Sequence, residues 1–252
     1  DIGCAMGITG TDVSKETADV ILTDDNFATI VSAVKEGRGI YDNIRKCIKY
    51  LLSSNIGEVL TIFVASLLSA FGLINLGTPL SAMHLLWINL ITDSLPAFGI
   101  GMEAPDDDIM ERKPRPRKEG IFANGYGWKI ALEGILIGAL TLTSYIIGEA
   151  TSHALGQTMA FLTLSSTQLF HAYNVKSNFS IFNKKTYKNK FMNFAFLIGF
   201  VLQLFVIYCP GVNTLFGLQS LDIISLLISL GLAFSIVIIF EVYKLIRRLK
   251  NK

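Results

Sequence analysis

The chain holds 252 residues, 51% of them hydrophobic, with a mean hydropathy of +0.50 and 22 Lys and Arg against 20 Asp and Glu. A net charge of +2 gives no footing for a nucleic-acid partner, and so many long apolar runs exclude an ordinary soluble domain. Cys4, Cys47 and Cys209 have neither CxxC nor metal-ligand spacing, which excludes a disulfide framework.

Asp1 opens inside an alternating apolar pattern, DIGCAMGITG, that reads as a strand of a larger domain, so the chain is expected to be a fragment. Ile2–Met6 predicts a strand and residues 7–11 a loop. The Gly7 and Gly10 pair is read as an ordinary turn, because no Lys follows at P-loop spacing. Asp12–Ala18 predicts a short helix with Asp12 as its N-cap, Asp19–Leu22 a second buried strand, and residues 23–26 a turn. From Phe27 a helical pattern runs through Ile30, Val34, Ile44 and Leu51 into the first apolar stretch. Gly37 and Gly39 are the points where it could bend.

Six stretches predict membrane-spanning helices: 50–71, 84–102, 128–148, 157–174, 193–209 and 223–243. Each can cross about 30 Å of hydrocarbon with some tilt. The fourth, around FLTLSSTQLFHAYN, is only moderately apolar. Lys and Arg number six in residues 1–49, six in 103–129, five in 176–190 and five in 244–252, whereas 72–83, 149–156 and 210–222 hold none. That asymmetry predicts a multi-pass weave with both termini cytoplasmic.

Five residues of the first two spans are out of place in hydrocarbon: Asn55, Glu58, Asn89, Thr92 and Asp93. A carboxylate at the bilayer centre costs about 2.5–3.5 kcal/mol, so Glu58 and Asp93 together cost about 5–7 kcal/mol if uncompensated. Asn55 and Glu58 are spaced i,i+3, and Asn89, Thr92 and Asp93 i,i+3,i+4, so each set shares one helical face. They offer oxygen, the donor of hard cations such as calcium, with manganese as a competitor. Pro96, Gly99 and Gly101 follow closely. Proline removes a backbone donor, so the helix is expected to kink or unwind near Asp93, a geometry tolerated at membrane depth where it lines a site. Asp106-Asp107-Asp108 lacks the Gly and distal Glu of a calcium loop and is read as a solvated cap or a contact to another domain. His84, His153 and His171 have no partner at ligand spacing and are read as interfacial or packed.

The motifs DIGCAMGITGTDVSKETADVILTDDNFATIV, YLLSSNIGEVL, LLWINLITDSLPAFGIGMEAPDDDIM and ERKPR stand in order across residues 1–117. In sequence and spacing they resemble the C-terminal quarter of P-type cation ATPases, calcium-pump subfamily. The remaining residues match more in topology and span count than in motif. The resemblance implies that residues 1–35 end the phosphorylation domain, a haloacid-dehalogenase-like α/β fold. It makes 36–102 the stalk with membrane helices five and six, 103–127 a cytoplasmic loop, and 128–252 a four-helix membrane region. Asn55 and Glu58 match ion ligands of helix five. Asn89, Thr92 and Asp93 match those of helix six, with Asp93 able to bridge two ion positions. Gln168 matches a helix-eight glutamate of the two-site muscle-type pumps. The sodium/potassium branch is less similar, with Pro where Gly57 stands and an acidic residue where Asn89 stands.

The expected fold class is therefore mainly α: a polytopic membrane helix bundle of six spans preceded by a short α/β piece. The expected function is the ion-binding membrane domain of an ATP-driven calcium-exporting pump in the plasma membrane. Its metal ligands would be Asn55, Glu58, Asn89, Thr92, Asp93 and Gln168, with Ca2+ as the transported ion. The phosphorylated Asp of the DKTG motif, the GDGxND magnesium motif, the nucleotide and actuator domains and helices one to four lie outside this sequence. Mg2+ and ATP thus belong to the full-length enzyme, no catalytic residue is expected here, and the isolated piece would be inactive. Its partners are calcium, the lipid bilayer and the rest of the pump chain. Because Gln168 lacks the charge of a glutamate, one calcium per ATP is expected. A six-span secondary cation transporter or channel would need an internal repeat or a pore lining, and no repeat relates the first three spans to the last three. A purely structural membrane module leaves the midplane carboxylates unexplained.

Overall fold

The computed structural model describes residues 2–72, 77–116, 118–123, 125–177, 180–181 and 184–250. The readings of the 72–83, 103–127 and 176–190 loops lie partly outside the described residues. The chain divides into two compact units, Asp1–Asp42 with Ala104–Arg117, and Asn43–Glu103 with Lys118–Lys252.

In the first unit, β1 (Cys4–Met6) and β2 (Val20–Leu22) pair in parallel, Ala5 opposite Ile21, with helix α1 (Asp12–Thr17) between them in sequence. The cap of α1 is Thr11 and not Asp12. Thr11 has extended backbone and its hydroxyl accepts from the Ser14 amide at 3.2 Å, whereas Asp12 is already helical and serves the positive end of the helix dipole. The loop amides of Ile8 and Thr9 both donate to the Asp25 carboxylate at 2.7 Å, which holds its carboxyl below the usual carboxylate range. Asp25 reaches them from a left-handed backbone, φ 49°. The Gly7 to Gly10 turn is thus bound from within.

Helix α2 (Ala28–Ala70) is 43 residues long and runs through Gly37 and Gly39 without a break. Gly39 is small for a packing reason: a Cβ there would lie 2.6 Å from Pro105 Cγ. Arg38 donates to the carbonyls of Ile109 and Arg112, both at 3.0 Å. Arg112 in turn pairs with Asp42 at 2.5 Å, Asp106 at 2.8 Å and Asp108 at 2.7 Å, and these carboxylates, Asp108 foremost, hold its guanidinium more firmly protonated. Asp106 and Asp108 therefore brace an arginine of their own segment.

The second unit holds the rest of α2 and a helix in three pieces: α3 (Ala82–Trp87), a π-helical turn (Ile88–Asp93) and α4 (Ser94–Gly101). After it come α5 (Tyr126–Glu149), α6 (His153–Lys176), a 3-10 turn (Lys184–Tyr187), α7 (Lys190–Tyr208), α8 (Val212–Leu215) and α9 (Ile223–Lys250). Side-chain oxygens of Ser81, Ser152 and Asn189 cap α3, α6 and α7. His84 completes the first of these caps, accepting from the Ser81 amide at 3.1 Å, and its Nε2 lies 2.7 Å from the Phe216 carbonyl. It is a structural ligature between segments, more than a packed side chain.

Four described helices are long and apolar enough to cross a membrane: Ala28–Ala70, Tyr126–Glu149, Lys190–Tyr208 and Ile223–Leu249. Their outward side chains are the apolar ones, such as Phe63, Leu132, Leu197 and Leu227, all about half exposed or more. The stretches 84–102 and 157–174 are helical but fall short by this measure, for different reasons. The first is interrupted by the π turn. The second, α6, packs against α5, α7, α9 and the π turn, so its polar side chains from Thr158 to Gln168 face protein. A helix enclosed on most sides needs no apolar outer face.

Small residues let α2 and α5 touch backbone to backbone. A Cβ on Gly134 would lie 2.6 Å from Ile56 Cβ and 3.0 Å from the Ser53 carbonyl, and one on Gly57 would lie 2.6 Å from Ile137 Cγ2. Alanine at position 134 would gain up to about 1 kcal/mol of helix propensity but overpack a stiff branched side chain by about 1–3 kcal/mol. Gly134→Ala is therefore expected to lower the melting temperature of the detergent-solubilised intact protein, and a raised one would show the seam to be loose.

Candidate functional site

Three helices converge on one buried carboxylate. Glu58 on α2 is 5% exposed. Its Oε1 accepts from Gln168 Nε2 of α6 at 2.9 Å, and its Oε2 from Asn89 Nδ2 of the π turn at 3.1 Å. Thr92 ties the same groups together: its hydroxyl donates to the Ile88 carbonyl at 2.9 Å and to Gln168 Oε1 at 3.4 Å. Thr92 and Gln168 are fully buried, and Asp93 is 1% exposed. The pairing explains how Glu58 is tolerated, since a buried charge is bearable only with hydrogen-bond partners.

The π turn follows from Pro96. In a regular helix the residue-96 amide would bond the carbonyl of Thr92, and proline has no N–H to give. That carbonyl accepts instead from the Tyr50 hydroxyl at 3.0 Å, and the Asn89 carbonyl accepts from the Ser94 hydroxyl at 2.9 Å. A π turn at a functional position is a common use of this rare geometry. Tyr50, wholly buried, also donates toward Asp93 Oδ1 at 3.3 Å. Asp93 Oδ2 is buried and, among the described residues, has no hydrogen-bond partner.

Of the six residues predicted from sequence, the structure gathers Glu58, Asn89, Thr92, Asp93 and Gln168. Asn55 stands apart. Its side chain is exposed and its amide donates to the Leu51 carbonyl of its own helix at 2.9 Å. Asn89 is exposed as well, so the cluster is open on one side. Among the described residues no group of three or more His, Cys, Asp or Glu assembles as a metal site. The oxygens of this cluster are two carboxylates supplemented by neutral amides and a hydroxyl, a donor set that suits a hard, oxygen-preferring cation.

Sequence reasoning missed Tyr50. The signal was present: a proline frees the carbonyl four residues earlier, and a buried aromatic hydroxyl on the facing helix is the natural donor. It also missed the neighbouring network. Lys49 Nζ meets Glu133 Oε1 at 2.6 Å, His171 Nε2 lies 3.5 Å from Glu133 Oε2, and Ser53 Oγ lies 3.0 Å from His171 Nε2. His171 is therefore partnered across helices.

A bundle of apolar helices around a buried, oxygen-rich cluster beside a broken helix is the architecture of a membrane ion-handling protein. The family described as "Cation transporting ATPase, C-terminus" matches residues 77–246. The chain is 48% identical over 219 residues to a calcium-transporting ATPase of Bacillus subtilis, covering 86% of this chain and 24% of that protein. It is 44% identical over 244 residues to calcium-transporting ATPase 1 of Bacillus cereus, with 88% and 26% covered. Against human calcium-transporting ATPase type 2C member 1 it is 38% identical over 255 residues, with 100% and 27% covered. The chain belongs to the cation-transporting ATPases, within their C-terminal region, and spans about a quarter of the length of the curated relatives it matches.

Tyr50→Phe is expected to leave the Thr92 carbonyl unpaired, at about 1–3 kcal/mol. Hydrogen exchange on the intact protein should quicken in residues 88–96 and stay unchanged in α9. Unaltered exchange in 88–96 would mean that another donor satisfies the proline gap.

Proposed function

We propose that this chain is the ion-binding membrane portion of an ATP-driven calcium-exporting pump of the plasma membrane. ATP and Mg2+ act in the parts of the longer protein outside it, and the piece by itself is inactive. The observation that carries the reading is the convergence of Gln168, Asn89 and Thr92 on Glu58, with Asp93 and its unpartnered oxygen adjoining. The relatives' names, calcium-transporting ATPases, supply the ion. Both amides now donate N–H to Glu58. A half-turn of each about its last torsion offers the carbonyl oxygen in its place, which is what an arriving cation requires. Asn55 and Asn89 are both exposed, which leaves room beside the cluster for the acidic residue implied on helix four, and in this reading Asn55 joins the ligand set when that helix is present.

In this reading six helices span the membrane, the four apolar ones together with α3–α4 and α6, and the α/β piece closes a haloacid-dehalogenase-like domain. The unbroken α2, from Ala28 to Glu58 and beyond, suits a stalk that transmits phosphorylation to the site. Both termini face the cytoplasm, with the basic segments. An impermeant thiol reagent applied to intact cells should then label a cysteine at Thr214 and spare one at Lys188. Labelling of the Lys188 position would refute the six-span weave.

Asp93→Asn in the full-length pump is expected to abolish calcium-dependent phosphorylation by ATP, because it removes one of two anionic ligands this chain provides. Near-normal calcium affinity in that variant would sink the ligand assignment.

Stoichiometry follows from charge. Glu58, Asp93 and one acidic residue implied on helix four supply three negative charges, against four positive for two calcium ions. Gln168 adds an oxygen without charge. A second ion in a desolvated, positively unbalanced site is costly, so one calcium per ATP is expected. Equilibrium binding to the purified pump decides: two ions per phosphorylation site would contradict it.

A further inference from the structure

A cavity of about 730 Å3 lies among α2, α5, α6 and α9 in the second unit, outside the Glu58 cluster. It is lined by five cations, Lys49, Lys129, Lys244, Arg247 and Arg248, and by a single carboxylate, Glu133. That carboxylate is engaged by Lys49 at 2.6 Å, and the other nearby acid, Glu241, lies 4.0 Å from Lys244. All five cations sit at the same end of the bundle, just before the apolar part of α2, at the start of α5 and at the end of α9. The wall is therefore strongly basic, and a concave basic wall focuses a field that attracts anions.

The rest of the lining is of another kind. Leu132 and Ile239 border the cavity and are 48% and 44% exposed, so its walls continue onto the outer, apolar face of the helices. Tyr243, 49% exposed, stands at the rim in the position of an interfacial aromatic. The volume falls in the range of ligand cavities, about 300–1,000 Å3. A small soluble anion would use the cations and leave the apolar walls idle. A phosphate carrying acyl chains uses both: headgroup among the cations, chains along Leu132 and Ile239. Basic pockets between membrane helices at one interface take this class of ligand.

We propose that this cavity is a binding site for an anionic phospholipid, its phosphate held by the exposed cations Lys129 and Arg247. The site is independent of the ion reading, since none of its cations touches the Glu58 cluster. Lys129, Arg247 and Arg248 are exposed, so their replacement leaves the packing in place.

The test is native mass spectrometry of the intact, detergent-solubilised protein titrated with phosphatidylglycerol, with phosphatidylcholine of the same acyl chains, and with inorganic phosphate. Wild type should retain phosphatidylglycerol in preference to phosphatidylcholine. Lys129→Gln and Arg247→Gln should each weaken that retention about fivefold, and the double variant more. Two single variants on different helices guard against misfolding of either one, and their elution as wild type in size exclusion confirms integrity. Equal retention of both lipids, or adducts insensitive to either variant, would overturn the proposal. Variant-sensitive binding of inorganic phosphate without preference for phosphatidylglycerol would make it a free-phosphate site and overturn the lipid assignment.

Discussion

The way α2, α6 and the π turn meet in the second unit depends on keeping the Glu58 carboxylate satisfied away from water. An isolated ionised carboxylate in a low-dielectric interior is so unfavourable that it either neutralises or recruits donors. Glu58 recruits two, one from α6 and one from the π turn, and each amide brings its helix with it. The cost of burying the charge is thereby converted into a geometric constraint: three segments far apart in sequence must hold their polar groups within hydrogen-bond reach of one side chain. A hydrophobic residue at 58 would relax that constraint and would also remove the chemistry.

The proline at 96 creates the second constraint. By removing one amide it leaves the Thr92 carbonyl without its helical partner, and the backbone widens there into the six-residue π turn. Tyr50 closes the gap and touches Asp93 as well, so one hydroxyl joins the broken helix to α2 directly beside the site. Site and break are one feature.

Close approach of α2 and α5 depends on a third feature, the absence of side chains at Gly57, Gly134 and Gly138. Attraction between helices in lipid comes from packing and polar contacts more than from apolar burial. The glycine seam supplies the packing, and Thr61, whose hydroxyl lies 3.4 Å from the Gly138 carbonyl, supplies one of the polar contacts. The seam lies one turn from Ser53 and adjoins Glu58, so it sets the spacing within which both the carboxylate and the Lys49–Glu133–His171 network operate.

What the sequence determined by itself was whatever depends on local pattern. The strands around Ala5 and Ile21, the short helix between them, the helix from residue 28 and the apolar stretches at 126–149, 190–208 and 223–249 all follow from periodicity. The unusual residues Glu58, Asn89, Thr92 and Asp93 stood out because charge and amide are expensive in hydrocarbon, and Pro96 announced the break. Capping was legible to within one residue: Thr11 took the role read for Asp12 because the cap must be the last non-helical residue. Tertiary structure decided everything that depends on which face meets which. It turned Asn55 outward although its spacing to Glu58 is helical, and the Asn55 amide bonds the Leu51 carbonyl of its own helix instead. It brought Gln168 onto Glu58 across 110 residues, a contact no local window contains. It chose Tyr50 to answer Pro96, gave the Asp106 and Asp108 carboxylates to Arg112, and enclosed α6 so completely that its polar sequence, poor by hydropathy, is the right one for a helix that meets protein on most sides.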